Sequence, residues 1–462
     1  KAPKGYALDK TVYPVTVTSG NTATIESKDE PLFDTISIVL EKIADGRSYL
    51  NAGDMSGAKF EISYYDDIFN NIEELKDKAA KRVWVLKTIK HPKLKQYDAR
   101  LRDRYKVSGD EFFKNKNGEF VIPRGTMIIK ELEAPRGYAL DPKVYLFVID
   151  SDSEDHSMVY NFGAIPKRPN KALTPEITTK AKDAKTGDRI AEYGKKIKLV
   201  DTVSYKGLWE DEEYTVKGIL MDKETKKPLL VNGEEIRAEK TFTVTKDNSV
   251  ITPEKGASGS IDLEYELDST ELAGKTTVVF EKLFHKDKEI ATHSDITDEE
   301  QTVEFLEIGT TAKDGKDGDK LILPEKEAVL IDTVSYKRLK VGEEYTFTGT
   351  LMDKKTGKEI LVDGKPVTAA KTMTAEKSDG TIDIEFRFNS KVVEGKTLVA
   401  FEKMTRESIT YAVHADIEDA DQTVKVNEPP KTGDMNKVMG GLLSASSAGL
   451  FAVLATLKKR KR

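Results

Sequence analysis

Short runs in which apolar and polar residues alternate fill most of the chain from residue 32 to residue 427. Ile36, Ile38, Leu40 and Lys42 fall on one face of a strand Ile36–Ile43, because strand residues two apart share a face. Runs of this kind are rich in Thr, Val, Tyr and Phe and are broken by Asp-Gly, Asn-Gly and Lys-Gly turns, which predicts an all-β chain of tandem β-sandwiches. Two segments depart from the pattern. The polar stretch Asn70 to Lys81 predicts a helix, and Leu86 to His91 an extra strand and loop. Near the end, the largely apolar run Val438 to Leu457 predicts a helix of about 30 Å, long enough to cross a bilayer.

The pattern repeats. Ile177 to Asp188 returns as Ile308 to Asp319, and the run Asp201-Thr-Val-Ser-Tyr-Lys206 returns as Asp332-Thr-Val-Ser-Tyr-Lys337. Later landmarks recur at a shorter offset: Val279-Phe-Glu-Lys282 as Ala400-Phe-Glu-Lys403, and His293 to Val303 as His414 to Val424. Within each copy the alternation aims polar residues at a core. Gln301 lies with Val303 and Phe305, Glu281 with Val279 and Leu283, Thr202 with Val200, and Asp222 with Leu220. The second copy repeats this with Gln422, Glu402, Thr333 and Asp353. Upstream, Lys42, Glu131 and Asn161 share faces with apolar residues in the same way. An unpaired buried amide, carboxylate or ammonium costs several kcal/mol, so these groups should pair or react.

Composition narrows the chemistry. Lys+Arg 74 against Asp+Glu 80 leaves a net charge of −6, so the whole chain has no basic footprint for nucleic acid. Without cysteine there is no disulfide, thiolate nucleophile or Cys-ligated metal, and five histidines restrict imidazole chemistry to a few positions. No cofactor and no metal site is predicted. The chain opens on Lys1 rather than Met, as a C-terminal fragment of something longer would.

The spacing His-x-Asp-x-x-Asp-x-x-Gln occurs as His293, Asp295, Asp298, Gln301 and as His414, Asp416, Asp419, Gln422. With the Asp-Thr-Val-Ser-Tyr opening, it resembles the repeats named for a Val-Ala-Phe-Glu motif, whose domains form an internal Thr–Gln ester. The resemblance implies that Thr202 bonds Gln301 and Thr333 bonds Gln422. His293 and His414 would be the bases, and Glu281 with Asp222, and Glu402 with Asp353, the acid pairs that keep a proton for the amide oxygen. Glu131-Leu-Glu-Ala-Pro-Arg-Gly-Tyr138 resembles the E-x-x-A-P-x-G-Y motif of prealbumin-like pilin domains of the SpaA or collagen-adhesin B type. Those domains join Lys to Asn, which implies that Lys42 attacks Asn161 with Glu131 assisting. Lys1-Ala-Pro-Lys-Gly-Tyr-Ala-Leu8 resembles the closing part of a preceding domain of that type, with Asp29 at its amide-partner position. Pro429-Pro430-Lys431-Thr432-Gly433, the apolar run and the basic tail Lys458 to Arg462 together resemble a Gram-positive sortase signal, with Pro429 where Leu is usual. Cleavage is then expected between Thr432 and Gly433.

Five segments follow: a prealbumin-like remnant at 1–30, an isopeptide domain at 31–165, ester-bond domains at 175–306 and 307–427, and a sorting signal at 428–462. The function expected is a structural stalk of a Gram-positive surface adhesin or pilus-like protein. Autocatalytic cross-links would stiffen it, and sortase would anchor it to peptidoglycan, with the membrane a transient partner. It would be secreted, wall-bound and not an enzyme beyond one turnover per bond. Competing expectations are domains that bind host extracellular matrix, and a surface hydrolase using the His, Glu and Asp of each repeat.

Overall fold

A computed structural model describes the chain apart from residues 4–5, 28, 32, 35–37, 94, 116, 150–166 and 429–462. Nearly all regular structure in it is β-strand. Two compact units make up the chain: the first takes Lys1–Arg189, Lys196–Asp268 and Thr276–Glu304, and the second takes Ile190–Lys195, Ser269–Lys275 and the chain from Phe305 onward.

The N-terminal sandwich of the first unit is built from β1 (Ile38–Asp45), β2 (Lys59–Tyr65), β3 (Arg82–Lys87), β4 (Ile89–Lys90), β5 (Tyr97–Arg100), β6 (Lys106–Gly109), β7 (Gly125–Glu133), β8 (Tyr145–Ile149) and β9 (Lys167–Lys171). One sheet runs in the order β8-β7-β2-β3-β6 and the other β9-β1-β5-β4. Strand β9, beyond residue 165, pairs parallel with β1 and so belongs to this sandwich. Leu40, Phe60, Ile62, Tyr64, Trp84, Leu86, Met127 and Ile129 meet in its core, each large apolar side chain contributing about 1.5–3 kcal/mol by leaving water. The expected helix over 70–81 is only a single 3₁₀ turn, Glu73–Leu75, with Leu75 its one buried residue. The segment carries no apolar stripe along which a longer helix could dock.

The first unit continues with β10 (Glu176–Asp183), β11 (Ile197–Leu208), β12 (Glu213–Asp222), β13 (Gly256–Leu267), β14 (Thr276–His285), β15 (Lys288–His293) and β16 (Thr302–Glu304). β11 lies between β10 and β13 in one sheet. In the facing sheet β14 pairs with β12, β15 and β16. This sandwich meets the N-terminal one through paired hydroxyls of Tyr49 and Tyr214, 2.7 Å apart, and a bond from Leu140 N to Pro253 O of 2.8 Å.

In the second unit the same plan returns as β17 (Ile308–Asp314), β18 (Ala328–Tyr336), β19 (Glu344–Asp353), β20 (Gly380–Phe388), β21 (Thr397–Arg406), β22 (Ile409–His414) and β23 (Thr423–Val426). β18 sits between β17 and β20, and β21 pairs with β19, β22 and β23. Its core gathers Leu330, Val334, Phe347, Leu351, Ile384, Phe386, Leu398 and Val424. Among the described residues no helix is long and apolar enough to cross a membrane. The expected sorting signal, Pro429 to Gly433 and the apolar run after it, lies outside the described residues.

Candidate functional sites

Each repeat places its polar core residues by strand parity. Along β10 the buried residues are Ile177, Thr179, Ala181 and Asp183, and along β11 Ile197, Leu199, Asp201, Val203 and Tyr205. Thr179 and Asp201 therefore face inward, as does Glu281 between Val279 and Leu283 on β14. Gln301 stands just before β16 and is completely buried, its backbone carbonyl accepting from Val279 N at 3.2 Å.

These side chains converge. Gln301 Nε2 donates to Thr179 Oγ1 and, at 2.6 Å, to Glu281 Oε2, to which Thr179 Oγ1 also donates at 3.2 Å. In the second copy Gln422 Nε2 donates to Glu402 Oε2 at 2.5 Å, with Thr310 and Asp332 buried on β17 and β18. Glu281 and Asp201 press on each other electrically. Burial, then the Asp201 charge and a hydrogen bond to it, push the Glu281 carboxyl far above the usual range, while burial raises Asp201 less. Glu402 and Asp332 repeat this. Both oxygens of Asp201 and Glu281 Oε1 lack a donor, as do their counterparts on Asp332 and Glu402. A proton shared between the two carboxyls would serve two of the three orphan oxygens in each copy.

His293 is the cross-strand partner of Glu281, and His414 of Glu402. Each histidine is turned by an aspartate of the expected motif: Nε2 lies 2.9 Å from Asp298 Oδ2 in one copy and from Asp419 Oδ2 in the other.

Four sequence expectations need correcting. Thr202 and Thr333 lie on the outward face, their hydroxyls donating to Asp262 and Asp383 at 2.7 Å. The parity choice that put Thr202 with Val200 missed the stronger alternation of Leu199, Asp201, Val203 and Tyr205, and a shift of one residue moves every side chain to the other face. Asp222 and Asp353 are buried but serve turns, accepting from Glu224 N and Thr225 N in one copy and from Lys355 N and Thr356 N in the other. Asp353 also takes Lys396 Nζ at 2.9 Å, which lowers its pKa. The repeat itself held the missing signal: at the same offset Thr178 is replaced by Gly309, whereas Thr179 is kept as Thr310.

In the N-terminal sandwich Lys42 of β1 and Glu131 of β7 are buried face to face, Nζ 3.0 Å from Oε1. Desolvation lowers the Lys42 pKa, against the pull of Glu131. Glu131 Oε2 accepts from Asn170 Nδ2 at 2.8 Å and from Asp141 N at 2.7 Å. Asn170, on β9, lies opposite Ala44, one step along the inward face from Lys42, and is 1% exposed. Glu131 thus touches both an amine and an amide. Asn161 lies outside the described residues, and the sequence reading missed Asn170, whose strand Lys167–Lys171 has no apolar alternation to announce it. Asp29 accepts from Asp9 N at 3.3 Å. Among the described residues one acidic group, Asp314, Asp317 and Asp319, brings carboxylate oxygens within 4.8 Å of one another, and no second feature there points to a metal.

Two stretches, residues 175–305 and 306–426, match the model of the T-Q ester bond containing domain. No curated protein matches the chain. Among solved structures it is similar to a bacterial adhesin from Mobiluncus mulieris described as containing intramolecular disulfide, isopeptide and ester bond cross-links. The identity is 13% over 50% of this chain and 80% of that one, with a TM-score of 0.26. It is also similar to a variant of BcpA, the major pilin subunit of Bacillus cereus, at 15% identity over 84% and 95% of the two chains and a TM-score of 0.18. The Corynebacterium diphtheriae major pilin SpaA aligns at 10% identity over 85% and 98%, with a TM-score of 0.19. The family match spans more than half of the sequence and frames both buried Thr–Gln pairs, and the chain belongs to the family of T-Q ester bond containing domains.

Proposed function

We propose that the chain is a load-bearing part of a bacterial cell-surface adhesin or pilin-like protein, stiffened by three self-made bonds: Thr179–Gln301, Thr310–Gln422 and Lys42–Asn170. The observation that carries the ester reading is the contact of a buried threonine hydroxyl with a buried carboxamide beside two buried carboxyls, Glu281 and Asp201. A threonine hydroxyl attacks only when a base takes its proton, and His293, held by Asp298 and cross-strand from Glu281, is the base in this reading. With the Gln301 carboxamide turned over, so that Oε1, which has no partner as placed, faces Glu281 in place of Nε2, the protonated Glu281 donates to the amide oxygen. Threonine Oγ1 bonds to glutamine Cδ, the Cδ–Nε2 bond breaks, and ammonia leaves with the proton. The same steps apply to Thr310, His414, Glu402 and Gln422.

For the N-terminal bond, a desolvated Lys42 is readily neutral and nucleophilic. Glu131 spans amine and amide, so it can pass the proton from Nζ to the departing nitrogen of Asn170. Each bond forms once and then stays.

The ester joins β10, the first strand of its sandwich, to the residue leading into its last, 122 positions along the chain. Closing so long a loop stabilises by about 5 kcal/mol in the chain-entropy model. Under tension the bond carries load past the hydrogen-bonded ladders. Anchoring at Thr432 by sortase, with peptidoglycan as the acceptor, completes this reading. Intact mass of the purified chain tests it: three ammonia masses should be missing, and tryptic maps should show Thr179, Thr310 and Lys42 peptides linked to their partners. Full mass with unlinked peptides would remove the mechanical reading.

A further inference from the structure

The segment Lys81 to Lys106 stands apart from the rest of the chain in charge. It holds ten lysines and arginines against two acids, Asp98 and Asp103, in a protein of net charge −6. Asp98 is already spent: it is buried, and takes hydrogen bonds from Gln96, Arg100 and Tyr105. Lys87, Lys90, Lys93 and Lys95 are exposed and, among the described residues, form no ion pair. They follow one another along the end of β3, the strand β4 and the turn leading to β5.

Topology gathers this charge on one side of the sandwich. β4 is the edge of the four-stranded sheet and β6 the edge of the five-stranded one, whereas Lys42 and Asn170 belong to the neighbouring strands β1 and β9 at the other end of the first sheet. Edge strands often carry a lysine or two as a guard against pairing with another sheet. Here the cations extend off the ladder, to Lys93 and Lys95 in the turn and to Arg102 and Arg104 beyond β5, where there is no strand edge to guard.

The aromatic residues in and just after the segment indicate what kind of anion fits. Trp84, Tyr105 and Phe112 are buried. Phe113 lies 3.7 Å under the Arg82 guanidinium, and Phe120 under Arg102 at 4.8 Å and Lys114 at 5.0 Å. Tyr97 on β5 is half-buried, so the segment offers one partly open ring rather than the succession of rings that single-stranded nucleic acid stacks on, and among the described residues no helix is offered to a duplex groove. What remains is a strip of exposed point charges, suited to a flexible linear polymer with strong anionic groups along it. We propose that the basic side of the N-terminal sandwich, centred on Lys87, Lys90, Lys93 and Lys95, is a docking surface for an extracellular sulfated polysaccharide. The choice of polysaccharide rests on the surface-protein reading above.

The test uses the full chain and heparin as the probe. Retention on heparin and solution titration from about 0.05 to 0.5 M salt are compared for the wild type, for K87E/K90E/K93E/K95E, and for a control of equal charge change at exposed lysines of the second unit, K326E/K337E/K355E/K365E. Circular dichroism confirms that all three are folded. The wild type should be held at about 0.15 M salt, with a steep salt dependence. The edge variant should bind at least ~30-fold more weakly with a shallower slope, because each removed lysine releases fewer counterions, and the control should stay within about threefold. Passage of the wild type through the column at that salt, or equal weakening of both variants, overturns the site. Equal or tighter binding of duplex DNA or long-chain polyphosphate overturns the sulfated-polysaccharide assignment. The surface reading fails separately, if antibody labels the chain only in permeabilised cells.

Discussion

The N-terminal sandwich and the two repeats solve one chemical problem with opposite charge pairs. Each must bring a carboxyl to a buried amide without leaving it as a lone carboxylate. In the repeats burial, and then the charge of a second acid, raises the pKa of the glutamate: Asp201 beside Glu281 and Asp332 beside Glu402. In the N-terminal sandwich Glu131 instead faces a lysine whose own pKa is lowered by burial, Nζ 3.0 Å from Oε1. On the reading proposed above, the first arrangement holds its proton without a nucleophilic amine and suits a hydroxyl, and the second makes the nucleophile from the same pair that moves the proton. The nucleophile and the acid's partner therefore go together, and neither can be exchanged alone.

Glutamate-to-glutamine changes give the largest break. Glu281→Gln, Glu402→Gln and Glu131→Gln should each abolish one bond and leave the other two. Intact mass should rise by one ammonia per variant, less the small change of the side chain itself. The unlinked ester domains should lose about 5 kcal/mol by the loop-closure term, read as earlier unfolding of that domain by hydrogen exchange on the full chain. Loss of all three bonds from one substitution would show that the sites do not act independently.

Next comes the threonine and acid assignment, where effects are also all or none. Thr179→Ala and Thr310→Ala should each restore one ammonia mass, whereas Thr202→Ala and Thr333→Ala should leave every bond in place. Asp201→Asn should slow the first ester strongly; Asp222→Asn should cost stability at its turn, about 1 kcal/mol, and spare the bond. His293→Ala should slow formation by about 10² to 10⁴, the usual worth of a positioned base, and a time course of mass after refolding reads it directly.

The sandwich architecture, the repeat and the glutamate, glutamine and histidine positions were legible because alternation and motif spacing point the same way at Glu281, Gln301 and His293. Parity was the weak step. On β11 Thr202 has Val200 beside it, an apolar neighbour that invites the wrong face, and only burial shows that Val200 lies half out of the core. Asp222 does share a face with Leu220, but its oxygens are taken by the turn that follows, which a strand pattern cannot reveal. Asn170 was hidden for another reason. It sits on a short basic strand that joins the sheet in parallel, far in sequence from the Glu131 it touches. The charge of Lys81 to Lys106 vanished in the whole-chain balance.

A smaller effect sharpens the contrast between charge pairs. In Thr179→Ala, the unlinked first repeat keeps the acid pair, whose Glu281 is raised from its ordinary 4.5 to about 10. Between those values the folded chain binds more protons than the unfolded one, so stability should fall as pH rises through that window. In Asn170→Ala the unlinked N-terminal sandwich keeps Lys42, whose folded pKa is below its ordinary 10.5. There the unfolded chain binds more protons, and stability should rise with pH up to that ordinary value. Opposite slopes, measured by domain-resolved hydrogen exchange at several pH values, support the two-pair account; slopes of one sign contradict it.

The smallest expected effect separates the two repeats from each other. Tyr265 on β13 has its hydroxyl buried with no hydrogen-bond partner, and burial next to Glu281 and Asp201 holds its pKa well above the ordinary phenol value. Its ring crosses the core because Gly218 offers no side chain: a Cβ there would stand 1.8 Å from the hydroxyl. Phe386 takes the same place over Gly349 in the second repeat, so no phenol hydroxyl stands there. Tyr265→Phe should therefore leave the Thr179–Gln301 bond intact and stabilise the first repeat slightly, by about 1 kcal/mol, since an unpaired buried hydroxyl is removed and nothing is left unsatisfied. Loss of the bond in this variant would mean that the phenol takes part in the proton transfer, and that the two repeats reach the same ester by different routes.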